Sequence, residues 1–513
     1  MERDPTPAQT GQSRRRHLDP AGGRGAGDSR LVVHPVRVRS GSRARHRLRV
    51  DPARRLRRGE HRQLEPSAPA GARTSQRPAR RRGRHGRGRA RPHRAPRPLG
   101  RIPRRRGDLL GVPRRLHPRQ HLDWTVRHQP SIASRDWYLM KIVAIAGSTI
   151  PSDTANSIQV MKACNALARL GHSVHLIVTG DGGRVTDWES LAQQYGLSHP
   201  FEIEWLSSSS RRLFTFNSVR RALRLKPDLL YTWFPQSAVF SLLAGKPTIF
   251  EAHLQPTGRF GPAWHRAFAR LPGRKRVACI TDALRVILER GFGMRLRADE
   301  FVIAPNGVEL ERFASLPDPA RARTSLGLRE APTVLCAGHL YAGRGADLFL
   351  RLAESFPAAR FVWVGGRASD VEEWTRKAAW LDNVSFLGFV PNMELPRYLA
   401  AADVLLMPYA RSILGSSGDA SSASVASPMK MFEYMAAGRA ILTSDLPVIR
   451  EALDDLSAAF APPEDVPAWT AALQSLLADS ARRAALASAA RREVEKYTWV
   501  ARAEKILDGF LES

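Results

Sequence analysis

Hydrophobic and polar positions follow two alternating patterns from Met140 onward. Short continuous apolar runs, typical of parallel strands buried on both faces, alternate with segments whose apolar residues recur every three to four positions, as in amphipathic helices. The first series of predicted strands is 141–147, 173–180, 228–233, 247–253, 276–281 and 301–305. A helix is predicted over 156–170, ending at Gly171. Strands and helices in this order predict a doubly wound parallel sheet with right-handed crossovers.

A second series of the same kind follows a link near residues 315–324. Its predicted strands are 333–340, 359–366, 383–390, 403–409, 440–444 and 458–462, and the tail over 465–511 is helical. The predicted fold class is therefore α/β, with two Rossmann-like domains facing an interdomain cleft. Ligands of such sheets bind beyond the carboxyl ends of the strands.

The predicted domain boundaries follow from these two series. The N-terminal domain covers 140–317 and the C-terminal domain covers 318–495. A last helix, over 496–513, is expected to pack back on the N-terminal domain.

Residues 1–139 show neither the 3.6-residue period of a helix nor the two-residue period of a strand. They hold 37 arginines, no lysine and 10 acidic residues, and so carry most of the net charge of +32. The segment cannot bury enough apolar surface to fold, which predicts disorder. It could be a nucleic-acid-binding tail, a targeting segment, or GC-rich DNA translated upstream of a true start at Met140. The last explanation is favoured because residues 1–139 contain no lysine, whereas the rest of the chain does. No nucleic-acid partner is expected for residues 140–513.

Lys430 and Glu433 stand out in a helix predicted over residues 428–437. Ser427 is a favourable N-cap and Pro428 a favourable first residue, and the helix starts at the cleft. The two side chains can both face the cleft, since they are three positions apart. The helix N-terminus and Lys430 favour an anion, while Glu433 suits hydroxyl donors such as a ribose diol. This predicts a nucleoside diphosphate site with separate tasks for the two side chains; the alternative is a solvated ion pair.

A glycine-rich loop, GHLYAGRG over 338–345, leads into the helix after strand 333–340. Its glycines permit close approach of the backbone to a ligand. Arg344 lies just before the helix N-terminus, and its guanidinium suits bidentate phosphate contact. Arg344 is therefore expected to be a second diphosphate clamp, and the alternative is a surface arginine on a turn.

Several motifs together resemble the retaining nucleotide-sugar glycosyltransferases of family 4, which have the GT-B fold. They are the GHLYAGRG loop, APNGVELERF (304–313), FLGFVPNMELPRYLAAADVLLMPY (386–409), and SPMKMFEYMAAG followed by SDLPVIRE (427–451). The resemblance covers essentially all of 140–513. It implies a hexosyltransferase whose N-terminal domain binds the acceptor and whose C-terminal domain binds a nucleotide-sugar donor.

The resemblance also implies the donor site. Glu433 matches the glutamate at the donor ribose, Arg344 the basic residue at the diphosphate, and Lys430 the lysine of a Ser-Pro-x-Lys variant. His339 falls where many members have a second basic residue. The implied donor-binding residues are Glu433, His339, Gly343, Phe389, Val390 and Ser427, with the backbone of 389–390 at the base. Many members carry another glutamate eight positions before 433; Val425 stands there, so the sequence leaves the donor sugar open.

A histidine at a strand end completes the implied site. His253, in Glu251-Ala-His253, resembles the active-site histidine of the family, and the catalytic set is His253, Arg344 and Lys430. Gly147, Ser148 and Glu251 are expected on the acceptor side; the alternative for Gly147 and Ser148 is that a plain loop follows the strand. The departing diphosphate develops negative charge, which fixed positive groups must neutralise. The chain has no Asp-x-Asp motif, which favours transfer without a metal or other cofactor. The resemblance implies retention at the anomeric carbon.

A basic segment over 207–227 mixes six cationic residues with phenylalanine and leucine. It could dock on an anionic membrane, toward a lipid-linked or glycan acceptor; the alternative is a solvated helix face. The three cysteines, far apart in the chain, favour a reducing compartment. The expected location is the cytoplasm, with peripheral contact at the inner membrane face if 207–227 docks. The expected pathway is polysaccharide biosynthesis.

Two rival functions are open at this point. Another activity of the same fold, such as nucleotide-sugar epimerisation, would use the same nucleotide site. Nucleic-acid binding would instead use residues 1–139.

Overall fold

The computed structural model describes residues 139–180, 187–208, 210–413 and 423–510. The interpretations of residues 1–138 lie outside the described residues.

The N-terminal domain is built on a parallel sheet. Within the described residues it has seven strands in the order β3-β2-β1-β4-β5-β6-β7. The strands are β1 (Lys141–Thr149), β2 (Ser173–Thr179), β3 (Glu202–Leu206), β4 (Leu229–Thr232), β5 (Thr248–Ala252), β6 (Lys275–Cys279) and β7 (Phe301–Ile303). The helices between them are α1 (Ala155–Arg169), α2 (Trp188–Tyr195), α3 (Arg211–Arg224), α4 (Pro235–Leu243), α5 (Gly261–Arg270) and α6 (Asp282–Val286). Gly171 follows α1 with φ +90°, as the predicted stop requires.

Strand β3 is an element that the apolar runs do not predict. It lies at the edge of the sheet, paired with β2. Glu202 and Glu204 alternate with Ile203 and Trp205, and the strand is only partly buried. The period of two was therefore present in the sequence, but an edge strand has no continuous apolar run to reveal it.

The C-terminal domain repeats the architecture. Its described residues form six parallel strands in the order β10-β9-β8-β11-β12-β13. The strands are β8 (Thr333–Ala337), β9 (Arg360–Val364), β10 (Val384–Phe386), β11 (Val404–Met407), β12 (Ala440–Ser444) and β13 (Ala459–Ala461). The helices are α7 (Pro319–Ser325), α8 (Ala346–Ser355), α9 (Ala368–Lys377), α10 (Leu395–Ala400), α11 (Met429–Ala437), α12 (Pro447–Arg450), α13 (Val466–Ala478) and α14 (Ser480–Glu493). The two sheets confirm the predicted fold class.

The last helix, α15 (Trp499–Leu507), returns to the N-terminal domain. Trp499, Ile506 and Phe510 are buried in the same apolar cluster as β1 and α1. Arg276 on β6 fastens the end of this helix by donating to the carbonyl oxygens of Ile506 and Asp508, both at 2.8 Å. The C-terminal segment therefore belongs to the first core, although it follows the second domain in sequence.

None of the helices in the described part of the chain has the length and apolar character needed to cross a bilayer.

Candidate active site

The carboxyl ends of strands from both sheets line one cleft of about 1710 Å³. Nine of the predicted site residues line it: Gly147, Glu251, His253, His339, Arg344, Phe389, Val390, Ser427 and Lys430. Ser148, Gly343 and Glu433 are not among the lining residues. The fold therefore brings most of the predicted residues together, and it sets three of them behind the wall.

Helix α11 starts at the cleft, but its predicted cap is wrong. The first helical residue is Met429, and no side chain caps the helix. Ser427 instead accepts a hydrogen bond on Oγ from the backbone N–H of Asn306 at 3.0 Å, while the Asn306 amide donates to the Ser427 carbonyl at 2.6 Å. Ser427 thus joins the start of α11 to the segment that follows β7, and the first N–H groups of α11 keep no side-chain acceptor.

Lys430 and Glu433 form an ion pair at 2.7 Å between Nζ and Oε2. This corrects the prediction that they are separate. The reason is burial: the Glu433 side chain is only 7% exposed, and a buried carboxylate needs a cation close by. Burial alone would raise the pKa of Glu433, but Lys430 and Arg312 more than offset this and hold it below its ordinary value. Glu433 therefore stands one layer behind the cleft, with Lys430 in front of it.

The ion pair is the end of a buried network that the sequence analysis missed. Lys162 on α1 pairs with Glu309 at 2.6 Å. Arg312 lies 3.3 Å from Glu309 and 3.9 Å from Glu433. Burial lowers the pKa of Lys162 to about 8, although Glu309 opposes the shift. Glu309 and Arg312 lie in the APNGVELERF motif, three residues apart, so a signal existed, but their partners are too distant in sequence to be inferred.

The glycine loop before α8 is shaped by its own packing. Gly343 and Gly345 have φ of +83° and +85°, and a Cβ would lie 2.1 Å from the Ser412 oxygen or 2.0 Å from the Pro408 oxygen. These two glycines allow the loop to lie against the chain after β11, which corrects the expectation that Gly343 faces the donor. Gly338, which has open space at its Cβ position and lines the cleft, is the glycine that permits close approach of a ligand.

Arg344 is held in the cleft by Tyr409. Its Nη1 donates to the Tyr409 hydroxyl at 2.6 Å, and its guanidinium carbon lies 4.8 Å from the centre of the Tyr409 ring. Its Nε is buried and has no hydrogen-bond partner among the described residues. The guanidinium is therefore fixed in place and retains donors for an anion.

The environment of His339 disfavours its charged form. Its Nε2 lies 3.3 Å from the carbonyl oxygen of Asp153 in the N-terminal domain, and its ring stacks on Tyr341 at 4.8 Å. Burial lowers the pKa of His339. The position that resembles a second basic residue thus supplies a hydrogen-bonding imidazole rather than a fixed charge.

The opposite wall carries His253. Its side chain is 24% exposed, and its Nε2 is 2.7 Å from Oε1 of Glu251. Although Glu251 borders the cleft, its side chain has no exposed surface, so it supports the histidine from behind rather than contacting an acceptor. Ser148 is likewise buried, which corrects its placement on the acceptor side. Gly147 does line the cleft, where a Cβ would lie 2.2 Å from the Phe234 ring.

Phe389, in the segment expected at the nucleotide base, is exposed, whereas Val425 is buried. Phe389 is 53% exposed at the edge of the cleft. The preceding residue, Gly388, accepts a hydrogen bond on its carbonyl oxygen from the Gly365 N–H at 2.7 Å. Val425 is 2% exposed and packs in an apolar cluster with Ile280 and other residues of the N-terminal domain. Its site is therefore an interdomain contact of apolar character, in which a glutamate would lose its solvation.

Two family models match the chain. "Glycosyltransferase Family 4" matches residues 157–312, and "Glycosyl transferases group 1" matches residues 331–479. Together the matched ranges cover more than half of the chain.

Curated relatives carry related names. The D-inositol 3-phosphate glycosyltransferase of Xylanimonas cellulosilytica is 28% identical over 265 residues, which are 48% of this chain and 60% of the relative. The GDP-mannose-dependent alpha-(1-6)-phosphatidylinositol monomannoside mannosyltransferase of Mycolicibacterium smegmatis is 30% identical over 214 residues, which are 40% of this chain and 54% of the relative. The chain thus spans less than two thirds of the length of either protein.

Solved structures share the fold. HepE from Anabaena in complex with UDP superposes with a TM-score of 0.56 at 17% identity, covering 72% of this chain and 99% of HepE. Sucrose-phosphate synthase from Thermosynechococcus elongatus superposes with a TM-score of 0.55 at 18% identity, covering 71% and 96%. With both family models matched on the two halves of the cleft, the chain belongs to the family 4 (group 1) glycosyltransferases.

Proposed function

We propose that this protein transfers a sugar from a nucleoside diphosphate sugar to a hydroxyl group of an acceptor. The observation that carries the proposal is the placement of Arg344 and Lys430 on the wall of the cleft formed by the C-terminal domain, beside the N-termini of α8 and α11. His253 lies on the facing wall, which the N-terminal domain forms. Fixed cations and helix N-termini are suited to a diphosphate. The comparisons give no support to epimerisation or nucleic-acid binding.

The proposed reaction needs stabilisation of the leaving group above all. As the bond from the anomeric carbon to the diphosphate breaks, negative charge grows on the phosphate oxygen. Arg344 and Lys430 would neutralise this charge from fixed positions, without reorganisation at the moment of reaction. The absence of an Asp-x-Asp motif from the sequence supports a metal-independent route.

Retention of configuration is the proposed stereochemical outcome. The acceptor oxygen would attack on the face that the diphosphate leaves, and its proton would pass to the departing phosphate oxygen. His253 is placed to hydrogen-bond the sugar or the acceptor hydroxyl, because Glu251 holds its Nε2 and leaves Nδ1 for a ligand. Nuclear magnetic resonance of the product's anomeric signal tests this outcome.

Nucleoside diphosphates should stabilise the folded protein. We expect UDP or GDP, free or as UDP-glucose or GDP-mannose, to raise Tm by roughly 5 °C at a concentration 100-fold above Kd, because a ligand stabilises the state that binds it. A thermal-shift measurement checks this. The matching nucleoside monophosphates serve as controls and should give smaller shifts, since they offer less charge to Arg344 and Lys430. Absence of any shift with all diphosphates and nucleotide sugars would contradict the proposal.

The proposed acceptor is a lipid-linked or glycan hydroxyl reached from a membrane surface, which would place the protein at the inner face of the cytoplasmic membrane and in polysaccharide biosynthesis. Helix α3 supports this. Its inward face buries Phe214 and Val219. Its outward face exposes Leu213 and Phe216, at 49% and 52%, among arginines. Apolar side chains among cations are typical of helices that lie in a membrane interface.

Substituting both exposed apolar residues tests the membrane proposal. The double variant Leu213→Ser, Phe216→Ser should bind vesicles of phosphatidylglycerol and phosphatidylcholine roughly ten-fold more weakly, since less apolar area enters the interface. Co-sedimentation at raised salt measures this, because salt screens the contribution of the arginine-rich residues 1–139. Leu456→Ser, at a residue 75% exposed in the other domain, is the matched control. Equal binding by all three proteins would exclude α3 as the docking surface.

A further inference from the structure

The Glu251 carboxylate is the centre of a cluster in which every member except His253 is buried. It accepts hydrogen bonds from Gln159, from the Tyr231 hydroxyl, from Nε2 of His253 at 2.7 Å and from Nη2 of Arg502 at 2.6 Å. Burial alone would raise the pKa of Glu251, but Arg502 and His253 outweigh it and lower the pKa to about 2. The carboxylate is therefore ionised, and the nitrogen of His253 that faces it must carry the proton.

Arg502 approaches this cluster from a different part of the chain. It lies on α15, the helix that returns from the C-terminal domain, and it is 5% exposed. Its Nε also donates to the carbonyl oxygens of Ala304 and Pro305, at 3.2 and 3.0 Å. The next residue, Asn306, holds Ser427 at the start of α11. One guanidinium is thus bonded both to the carboxylate behind His253 and to the segment after β7 whose Asn306 contacts Ser427 before α11.

We propose that Arg502 is a positioning residue for His253, acting through Glu251. The proposal rests on the proposed function, because it assigns the placement of a group at the same reaction centre. A carboxylate with four donors around it has one orientation, and within the described part of the chain Arg502 supplies the only guanidinium that bonds to Glu251. With Arg502 in place, Glu251 presents Oε1 to His253 and fixes which ring nitrogen carries the proton. Without it, Oε1 is held only by Gln159 and His253 and Oε2 by Tyr231, so the carboxylate can tilt and its hydrogen bond to His253 is less well fixed.

The variant Arg502→Gln tests the proposal in the full chain. A displacement of about 1 Å at a reaction centre can cost about 100-fold, and Gln159 and Tyr231 still hold Glu251, so kcat should fall roughly ten-fold. KM for the nucleotide sugar should stay within about two-fold, since the donor is bound by the opposite wall. Activity is measured with UDP-glucose and GDP-mannose. Arg502→Lys, which keeps the charge, should restore part of kcat.

Arg276→Gln is the matched control. Arg276 also fastens α15 to the N-terminal domain, through the carbonyls of Ile506 and Asp508, but it does not contact Glu251. Its loss should leave kcat near the wild-type value if Arg502 acts on His253, and should lower kcat equally if Arg502 only anchors the helix.

A spectrum of the histidine side chains separates this inference from the proposed function. In protein with ¹⁵N-labelled histidine, the Nε2–H signal of His253, assigned with His253→Gln, should be present in the wild type and in Arg276→Gln. It should be lost or shifted in Arg502→Gln, or in Arg502→Lys if the glutamine variant does not fold. An unchanged signal, or an equal change in Arg276→Gln, would overturn the positioning role. Because the spectrum needs no turnover, it decides the matter even if no donor is used.

Discussion

Replacing Arg344 with alanine is expected to lower kcat by about 100- to 1000-fold. The guanidinium is locked against Tyr409 at the edge of the glycine loop, so its charge is in place before the substrate arrives. Such a fixed charge stabilises the leaving diphosphate more than the bound donor, and the loss should appear mainly in kcat rather than in KM. Steady-state rates of sugar transfer measure it, and circular dichroism checks that the variant folds.

The matched control for this prediction is Arg351→Ala. Arg351 lies on α8, the helix that Arg344 precedes, and its side chain is exposed away from the cleft. It removes the same charge from the same part of the domain and should leave kcat nearly unchanged. Arg344→Lys keeps the charge but not the planar fork, and should recover only part of the activity. Wild-type turnover by Arg344→Ala would remove Arg344 from the diphosphate site.

The central parallel strands were predictable because each one is a continuous apolar run in the local sequence. A strand such as β1 is buried on both faces and must be apolar at nearly every position, so its apolar run alone predicts the strand. The edge strand β3 has no such constraint, and its alternating glutamates resemble a loop as much as a strand. The same logic explains the helix stop at Gly171, where a positive φ selects glycine from local backbone geometry alone.

The site residues were predictable in position but not in partnership. The pattern placed Lys430 and Glu433 on a helix that starts at the cleft with both side chains able to face it, but in the structure only Lys430 lines the cleft. The local sequence does not show that Glu433 is buried, and this burial is the reason that Lys430 pairs with it. Nor does it predict that Lys162, on a helix of the N-terminal domain, joins the same network. Desolvation depends on what the rest of the chain packs over a residue, and a local motif does not record this.

The segment over residues 304–312, which follows β7, shows why these long-range contacts matter. Residues 304–312 supply carbonyls to Arg502, the Asn306 contacts to Ser427, and Arg312 near Glu433. The contacts of Asn306 and Arg312 join this segment to the donor-side helix α11, and the contact of Arg502 joins it to α15 in the core of the N-terminal domain. The motif APNGVELERF, which carried part of the family resemblance, is therefore the place where the two walls of the cleft are held in register.

Replacing Glu433 with glutamine is expected to raise the Kd for UDP or GDP by about 100-fold. A carboxylate that accepts hydrogen bonds from a ribose diol contributes about 1.5–3 kcal/mol for each bond, and each 1.4 kcal/mol is a factor of ten. For this to happen, Lys430 must turn from Glu433 to the phosphates, so that the diol takes its place at the carboxylate. Titration calorimetry measures Kd. The variant also leaves Lys430 and Arg312 with less negative charge nearby, so the free protein should be less stable.

Deoxynucleotides separate the ribose contact from this loss of stability. The wild type should bind 2′-deoxy-UDP or 2′-deoxy-GDP about ten-fold more weakly than the ribonucleotide, whereas Glu433→Gln should bind the two forms almost equally, because the group that reads the hydroxyl has changed. Glu309→Gln is the matched control: it removes the other acid of the same buried network, pairing with Lys162 and Arg312. It should share the loss of stability but keep the discrimination. If Glu433→Gln still discriminates as the wild type does, the ribose is bound elsewhere, and Glu433 serves only to hold Lys430.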